Sequence, residues 1–318
     1  MRICSLLPGA TEVVAALGLT DELVGISHEC DYPPQVRRKP VVVRAAIDAE
    51  CAASPEIDQQ VRKSVQAGQD LYELDEVLFA RAEPDLVIAQ DLCHVCAITP
   101  SRLQRAIAAM RKAPTLLILN PTTLDQILTD VERIGHATGK EAEAHALTAD
   151  LRARLKGIRE RISHAGDWEV GHPKVACLEW LDPLYAAGHW VPEMVSLAGG
   201  VDVLGTAGAP SQRVTWEQVR NAAPDVLVLM PCGFSVNRTL REWDCLTHHP
   251  GWRSLPSVQN GRVFVVDASA YFSRPGPRLV EGVAILAALC HPAAFGCALP
   301  PGVRRVDPLA RPRPAHRS

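Results

Sequence analysis

The chain has 318 residues, with 33 lysines and arginines against 36 aspartates and glutamates, a formal charge of −3 and 47% hydrophobic residues. That length suits two domains with substantial cores. The charge balance, with no basic stripe interleaved with aromatics, argues against a general nucleic-acid binder, and no run of eighteen apolar residues offers a transmembrane helix. Ten cysteines are many for such a chain, but a disulfide framework is not expected in a reducing compartment. Met1-Arg2 leads at once into Ile3-Cys4-Ser5-Leu6-Leu7, and Pro8 follows too soon for a secretory leader. The expected location is therefore cytoplasmic, and periplasmic only if the true start lies upstream.

In chain order, residues 2–5 read as the first strand, 6–10 as a loop and 11–17 as a helix stopped by Gly18. Thr11 or Glu12 would sit at the positive end of that helix, where a ligand carboxylate or phosphate could bind. Residues 23–26 form the next predicted strand, which delivers Ser27-His28-Glu29-Cys30-Asp31-Tyr32-Pro33-Pro34, a polar, aromatic, proline-stiffened loop. Open α/β sheets bind ligands in such loops at the carboxyl ends of strands. Residues 41–43 read as a short strand and 48–69 as a polar loop and helix. The strand predicted over 86–89 emits Gln90-Asp91-Leu92-Cys93-His94-Val95-Cys96, and 115–119 closes the first half.

From Thr123 to His164 the chain has no proline, and apolar residues recur at three- and four-residue steps: Leu124, Ile127, Leu128, Val131, Ile134, then Leu147, Leu151, Leu155, Ile158, Ile162. This is helical periodicity. Thr123 with Gln126 fits a capping box, and Gly139 fits a left-handed stop. A second helix follows over 140–164, about 37 Å long at 1.5 Å per residue. Its arginine- and glutamate-rich second half has only a narrow apolar stripe, as expected of a helix spanning two bodies.

The flanks of this segment use one grammar. Leu74-Asp75-Glu76-Val77 precedes Glu83-Pro84-Asp85 and an apolar run, and Thr215-Trp216-Glu217-Gln218-Val219 precedes Ala223-Pro224-Asp225 and another. Continuous apolar runs of strand length suit parallel strands buried on both faces. The second half opens with a strand over 174–178 that ends in Glu179-Trp180-Leu181-Asp182-Pro183. Then come Gly188-His189-Trp190, a strand over 226–229 with Cys232-Gly233-Phe234 after it, a strand over 263–266 with Tyr271 after it, and a helix over 278–289. Residues 298–318, rich in proline and arginine and without apolar periodicity, are expected to be disordered. The predicted fold class is α/β, with two Rossmann-like lobes, 1–122 and 172–297, joined by bridging helices over 123–171.

On Ser5-Leu6-Leu7-Pro8-Gly9-Ala10-Thr11-Glu12, Leu23-Val24-Gly25, both Pro-Asp strand entries and the bridging helix, the chain resembles the substrate-binding proteins of iron-siderophore and cobalamin ABC importers, most of all the cobalamin-binding branch. The resemblance covers about residues 1–297. It implies two lobes joined by one long helix, a monomer, and non-catalytic binding of cobalamin, a related corrinoid or a metal chelate in a cleft between the lobes. It also implies an acidic docking residue on each lobe for the permease, for which Glu76 and Glu217 are the counterparts here. A chain without a leader puts that permease partner in question.

Residue by residue, the ligand-contacting set expected is Pro8, Thr11, His28, Tyr32, Gln90, Asp91, Trp180, His189, Trp190, Phe234 and Tyr271. Aromatic walls with a few polar groups suit a large flat ligand. Gly188 and Pro192 frame His189-Trp190 in a short stiff loop, whereas Trp216 and Trp252 read as packing residues. Cys4, Cys177 and Cys290 read as small core hydrophobes. Cys30, Cys93, Cys96 and Cys232 fall just past strand ends and leave four readings open: a site for zinc or another soft metal, a redox pair, direct ligation of a corrinoid's cobalt or a chelate's iron, or plain reduced thiols. Nucleophile-elbow, phosphate-loop and His-Glu-x-x-His motifs are absent. The leading reading is a non-enzymatic binding protein, and the alternative is a cytoplasmic thiolate-metal enzyme or metal carrier built on Cys30, Cys93 and Cys96.

Overall fold

The computed structural model describes residues 1–47, 52–90, 100–164 and 171–309. The chain divides into two compact units. Unit 1 comprises Met1–Arg152 together with Arg274–Pro277, and unit 2 comprises Ala153–Ser273 together with Arg278–Ser318.

Unit 1 is built on strands β1 (Ile3–Ser5), β2 (Leu23–Ser27), β3 (Val41–Ala45), β4 (Tyr72–Leu74), β5 (Leu86–Ala89) and β6 (Thr115–Ile118), in the sheet order β4-β3-β2-β1-β5-β6. All neighbours are parallel except β3 and β4. The helices are α1 (Pro8–Ala16), α2 (Ser54–Gln66), α3 (Glu76–Ala82), α4 (Pro100–Ala108) and α5 (Leu124–Thr138). Successive strand residues point to opposite faces, so Ile3, Leu86 and Ile88 join Val13, Val14, Val131 and Ile134 under α1 and α5. Cys4 and Val87 turn the other way, toward Phe79 and Leu103. Burial on both faces is why these strands read as unbroken apolar runs.

Unit 2 repeats the plan with β7 (Lys174–Leu181), β8 (Leu184–Ala186), β9 (Val201–Asp202), β10 (Gln212–Arg213), β11 (Val226–Leu229), β12 (Val263–Val266) and β13 (Val303–Arg305). The order is β10-β8-β7-β11-β12-β13, with β9 beside β7. The central three, β7, β11 and β12, are parallel.

The repeated Pro-Asp entries do the same work in each unit. Asp85 Oδ2 accepts from the Arg2 backbone N–H at 3.0 Å, and the Asp85 N–H donates to Arg2 O at 2.8 Å. Asp225 Oδ2 accepts from the Lys174 N–H at 2.9 Å, and its own N–H donates to Lys174 O at 2.8 Å. Each aspartate thus pins the start of one central strand to the start of its neighbour. Bonds from Lys112 and from the Arg2 backbone hold the Asp85 carboxyl below its usual range. Asp225→Ala is expected to lower unfolding free energy by about 1.5–3 kcal/mol, the worth of a charge-assisted bond; urea denaturation checks it.

Helix caps follow the sequence closely. The Thr123 hydroxyl accepts from the Gln126 N–H at 3.3 Å, and Gly139 ends α5 in the left-handed region at φ 67°. The Gln126 side chain closes on the Thr122 N–H at 2.7 Å instead of the cap residue's own. The bridging segment divides differently from expectation. Val131 and Ile134, each 1% exposed, put α5 in the core of unit 1, and only α6 (Glu141–His164) passes from one unit into the other.

Three expected boundaries are corrected. The helix placed over 11–17 starts at Pro8, because a proline at the first helical position loses no intrahelical bond. The strand placed over 174–178 runs on to Leu181 and folds back as the antiparallel β8. The tail expected to be disordered over 298–318 contains β13, which pairs antiparallel with β12. Val303 is fully buried and Val306 nearly so, so this short stretch adds an apolar edge to the sheet. Residues 310–318 lie outside the described residues.

Candidate functional site

In unit 1 the carboxyl ends of β1 and β2 carry the predicted loop residues. Pro8 opens α1 at the end of β1 and is half-buried. Thr11 is fully buried within that helix, where its hydroxyl donates to Leu7 O at 3.0 Å and Ser5 Oγ at 2.8 Å. It also lies 3.1 Å from the Cys30 thiol. Thr11 therefore knits α1 to the loop after β2 from within, and the helix end it was expected to mark stands three residues earlier. Cys30 is 3% exposed. Burial pushes its thiol up to about 12, against the lowering effect of the Thr11 hydrogen bond. Its side chain is part of the buried core of unit 1.

The rest of this loop faces outward. His28 is exposed with its ring 6.1 Å from that of Tyr72, and Tyr32 is 45% exposed ahead of a cis bond to Pro33. Between Cys30 and Tyr32, Asp31 is gripped by two arginines. Its carboxylate pairs with Arg274, its backbone carbonyl accepts from Arg37 Nε at 3.1 Å, and Arg37 also approaches the carboxylate at 4.0 Å. Arg274 reaches Asp31 because residues 274–277 pack over the start of α1. A Cβ on Gly9 would lie 2.6 Å from the Pro275 carbonyl carbon, and one on Gly276 would lie 3.0 Å from Gly9 Cα. The two glycines let two backbones touch. Sequence reasoning missed Arg274, since its partner stands 243 residues away. Gln90 ends β5 half-buried. Asp91, Cys93 and Cys96 lie outside the described residues.

In unit 2 the aromatic residues expected to contact the ligand form two groups. Trp180 lies in β7, not in an exit loop, opposite Tyr185 of β8. Its ring meets Phe234 at 5.2 Å, and the Arg238 guanidinium sits 4.2 Å over the other partner of that pair, Phe234. Phe234 is 4% exposed and follows the end of β11; its carbonyl accepts from the Ser269 N–H at 3.2 Å, which ties the exits of β11 and β12 together. Cys232, beside it, is exposed. In the second group, Trp190 is 7% exposed and its indole N–H donates to Phe272 O at 2.8 Å. Tyr271, one residue before Phe272, is half-buried beneath Arg278 at 5.9 Å.

His189 stands apart from the other histidines. Its φ is 52°, in the left-handed region that non-glycine residues enter rarely. Its N–H donates to Ala209 O at 2.6 Å and its carbonyl accepts from the Gly208 N–H at 2.8 Å, which fixes the conformation. The ring is half-buried, and burial lowers the imidazole's affinity for a proton. Held backbone strain of this kind clusters at ligand sites. His136 and His145 lie on exposed faces.

Among the described residues no group of three or more His, Cys, Asp or Glu side chains is arranged to hold a metal ion. A cavity of about 360 Å³ lies at the amino end of β12, lined by Arg262, Phe264, Leu289 and Leu299. It is at the opposite end of that strand from Asp267 and Tyr271, so it is not the strand-exit surface. Trp216 and Trp252 are packing residues, 9% and 2% exposed.

Three comparisons bear on this geometry. The family model described as Periplasmic binding protein matches residues 3–270. The chain is 27% identical over 287 residues to the Vitamin B12-binding protein of Vibrio cholerae serotype O1, covering 89% of this chain and 86% of the relative. Among solved structures, the periplasmic vitamin B12 binding protein BtuF of Vibrio cholerae superposes with a TM-score of 0.63 at 24% identity, covering 93% of this chain and 98% of that one. A periplasmic heme binding protein from Pseudomonas aeruginosa gives 0.72 at 19% identity, with 95% and 96% covered. These structures share the fold. The matched family and both structures are periplasmic by description, which overturns the expectation of a cytoplasmic location. That expectation rested on where the sequence begins; its first residues are β1 of the fold and do not report a compartment.

Proposed function

The chain belongs to the periplasmic binding protein family, and on that premise we propose that it is the substrate-binding component of an ABC importer whose ligand is cobalamin or a related corrinoid. The observation that carries this reading is the match to a vitamin B12-binding protein across 86% of that protein's length. The family match favours a binding protein over the thiolate-metal enzyme. Tyr32 and His28 on unit 1, and His189 on unit 2, are the side chains we assign to ligand contact. They combine exposure or held strain with a polar or aromatic tip. Arg274 acts through Asp31, holding the loop that presents Tyr32. Glu76 and Glu217, 64% and 73% exposed on α3 and on the helix Trp216–Ala222, are available to a permease.

Titration of the purified, reduced protein with cobalamin and, separately, with haem tests the assignment by visible spectrum and calorimetric heat. Cobalamin is expected to bind in the micromolar range or tighter. His189→Ala and Tyr32→Ala should each weaken binding roughly tenfold, the loss of about 1.4 kcal/mol, while Cys93→Ser/Cys96→Ser leaves it unchanged. Haem binding without cobalamin binding would transfer the assignment to a tetrapyrrole of the haem type, which the heme-binding title of a fold relative makes the natural competitor. Binding of neither would sink it.

A further inference from the structure

No sequence signal marks the stretch of chain that holds His189. Strand β9 lies beside β7, with Asp202 opposite Val175, and β10 lies beside β8, with Gln212 opposite Ala186. Residues 203–211 join β9 to β10. Ala186 is the last residue of β8 and leads through Ala187 and Gly188 into His189. The connection therefore returns beside the strand that delivers the histidine.

Asp202 folds the start of this connection. Its Oδ1 accepts from the Leu204 N–H at 2.9 Å and from the Gly205 N–H at 2.7 Å, as aspartates do when they stand in for backbone in a tight turn. Gln212 closes the other end, its Nε2 donating to Leu204 O at 2.8 Å. Between them the Ala209 N–H donates to Thr206 O at 3.1 Å, and Gly208 takes a φ of 74°. Gly208 and Ala209 are the two residues that hydrogen-bond the His189 backbone. Two further glycines let the backbones meet. A Cβ on Gly205 would fall on the Ala187 carbonyl oxygen, and one on Gly188 would lie 2.6 Å from Ala209 O. A non-glycine residue stays in the left-handed region only where its surroundings overdetermine it. For His189 those surroundings are this connection, and Asp202 and Gln212 fix its two ends.

We propose that Asp202 is the positioning residue for His189. By bracing residues 203–211 it keeps the histidine in its left-handed conformation and so sets the affinity for the ligand of the importer reading above, on which that effect rests.

The test begins without ligand. Histidine NMR titration of the full chain follows the His189 ring, identified by its loss in His189→Ala. In the parent, burial holds its pKa below the usual histidine value. Asp202→Ala should free the ring toward solvent and raise that pKa. Gln212→Ala, at an exposed position, should raise it less, and it covers the case in which Asp202→Ala does not fold. An unshifted His189 in the folded variants overturns the proposal. Cobalamin titration gives the second readout. Asp202→Ala should weaken binding about fivefold, and Asp202→Ala/His189→Ala should bind no worse than His189→Ala, because the aspartate acts through the histidine. Asp202→Asn keeps the Oδ1 acceptor and removes a charge that burial disfavours, so it should recover most of the affinity. Parental binding by Asp202→Ala, or losses that add in the double variant, overturns the role and leaves the ligand assignment standing. A parent that does not bind cobalamin overturns that assignment and the effect on affinity with it, and the NMR titration then decides the positioning by itself.

Discussion

Gly9→Ala is expected to destabilise the protein by about 3 kcal/mol, at the upper end of what overpacking costs. The sign is the informative part. In an ordinary helix the same change stabilises by about 1 kcal/mol, because alanine loses less backbone freedom on folding. At Gly9 the new methyl would fall on the Pro275 carbonyl oxygen, and backbone cannot swing aside as a side chain can. Relief requires residues 274–277 to lift off α1, taking Arg274 from Asp31 and loosening the loop that carries Tyr32. Gly157→Ala, in α6 with nothing within 4 Å of the added carbon, is the matched control and should gain roughly 0.5–1 kcal/mol. Urea denaturation of both variants measures the contrast. Equal gains in the two would mean that the 274–277 segment does not sit against Gly9.

Trp252→Ala should cost about 3–5 kcal/mol, the range for deleting a large buried aromatic. The indole is 2% exposed and lies with Trp216 at 6.0 Å between ring centres. Trp216 in turn stacks on His249 at 4.7 Å. The indole N–H of Trp252 also donates to Pro308 O at 2.9 Å, just beyond β13. Trp252→Phe keeps most of the packing and removes the donor, leaving the buried Pro308 carbonyl unpaired; about 1 kcal/mol should go. Denaturation of the pair separates packing from hydrogen bonding. A Trp252→Phe variant as stable as the parent would show that this bond does not hold the stretch after β13 in place.

The docking of that stretch was not legible in the sequence. Around Val303 and Val306 the composition is proline- and arginine-rich, and two valines do not make a period. They form a strand because β12 leaves an edge for them and because Trp252 offers a donor. The hairpin of β7 and β8 had a signal, Asp182-Pro183 between two apolar stretches, which are turn-forming residues. The strand simply runs on through Glu179 into Trp180 and Leu181. Thr11 is expected at the positive end of the first helix, and Cys30, just past a strand end, as a candidate metal ligand. The hydroxyl and thiol instead satisfy each other inside unit 1, since polar groups that are buried must find partners.

The sequence alone determined the elements that depend on neighbours along the chain. The Thr123 and Gly139 caps, the apolar strands of both units and the Pro-Asp entries all follow from local backbone preference and from side-chain period, and those do not need the rest of the fold. It also carried the family resemblance, on motifs that span nearly the whole chain. Only the tertiary structure decided which of the polar residues near strand ends face solvent and which are tied inward. It likewise brought Arg274 to Asp31 and Pro275 to Gly9, across more than 240 residues.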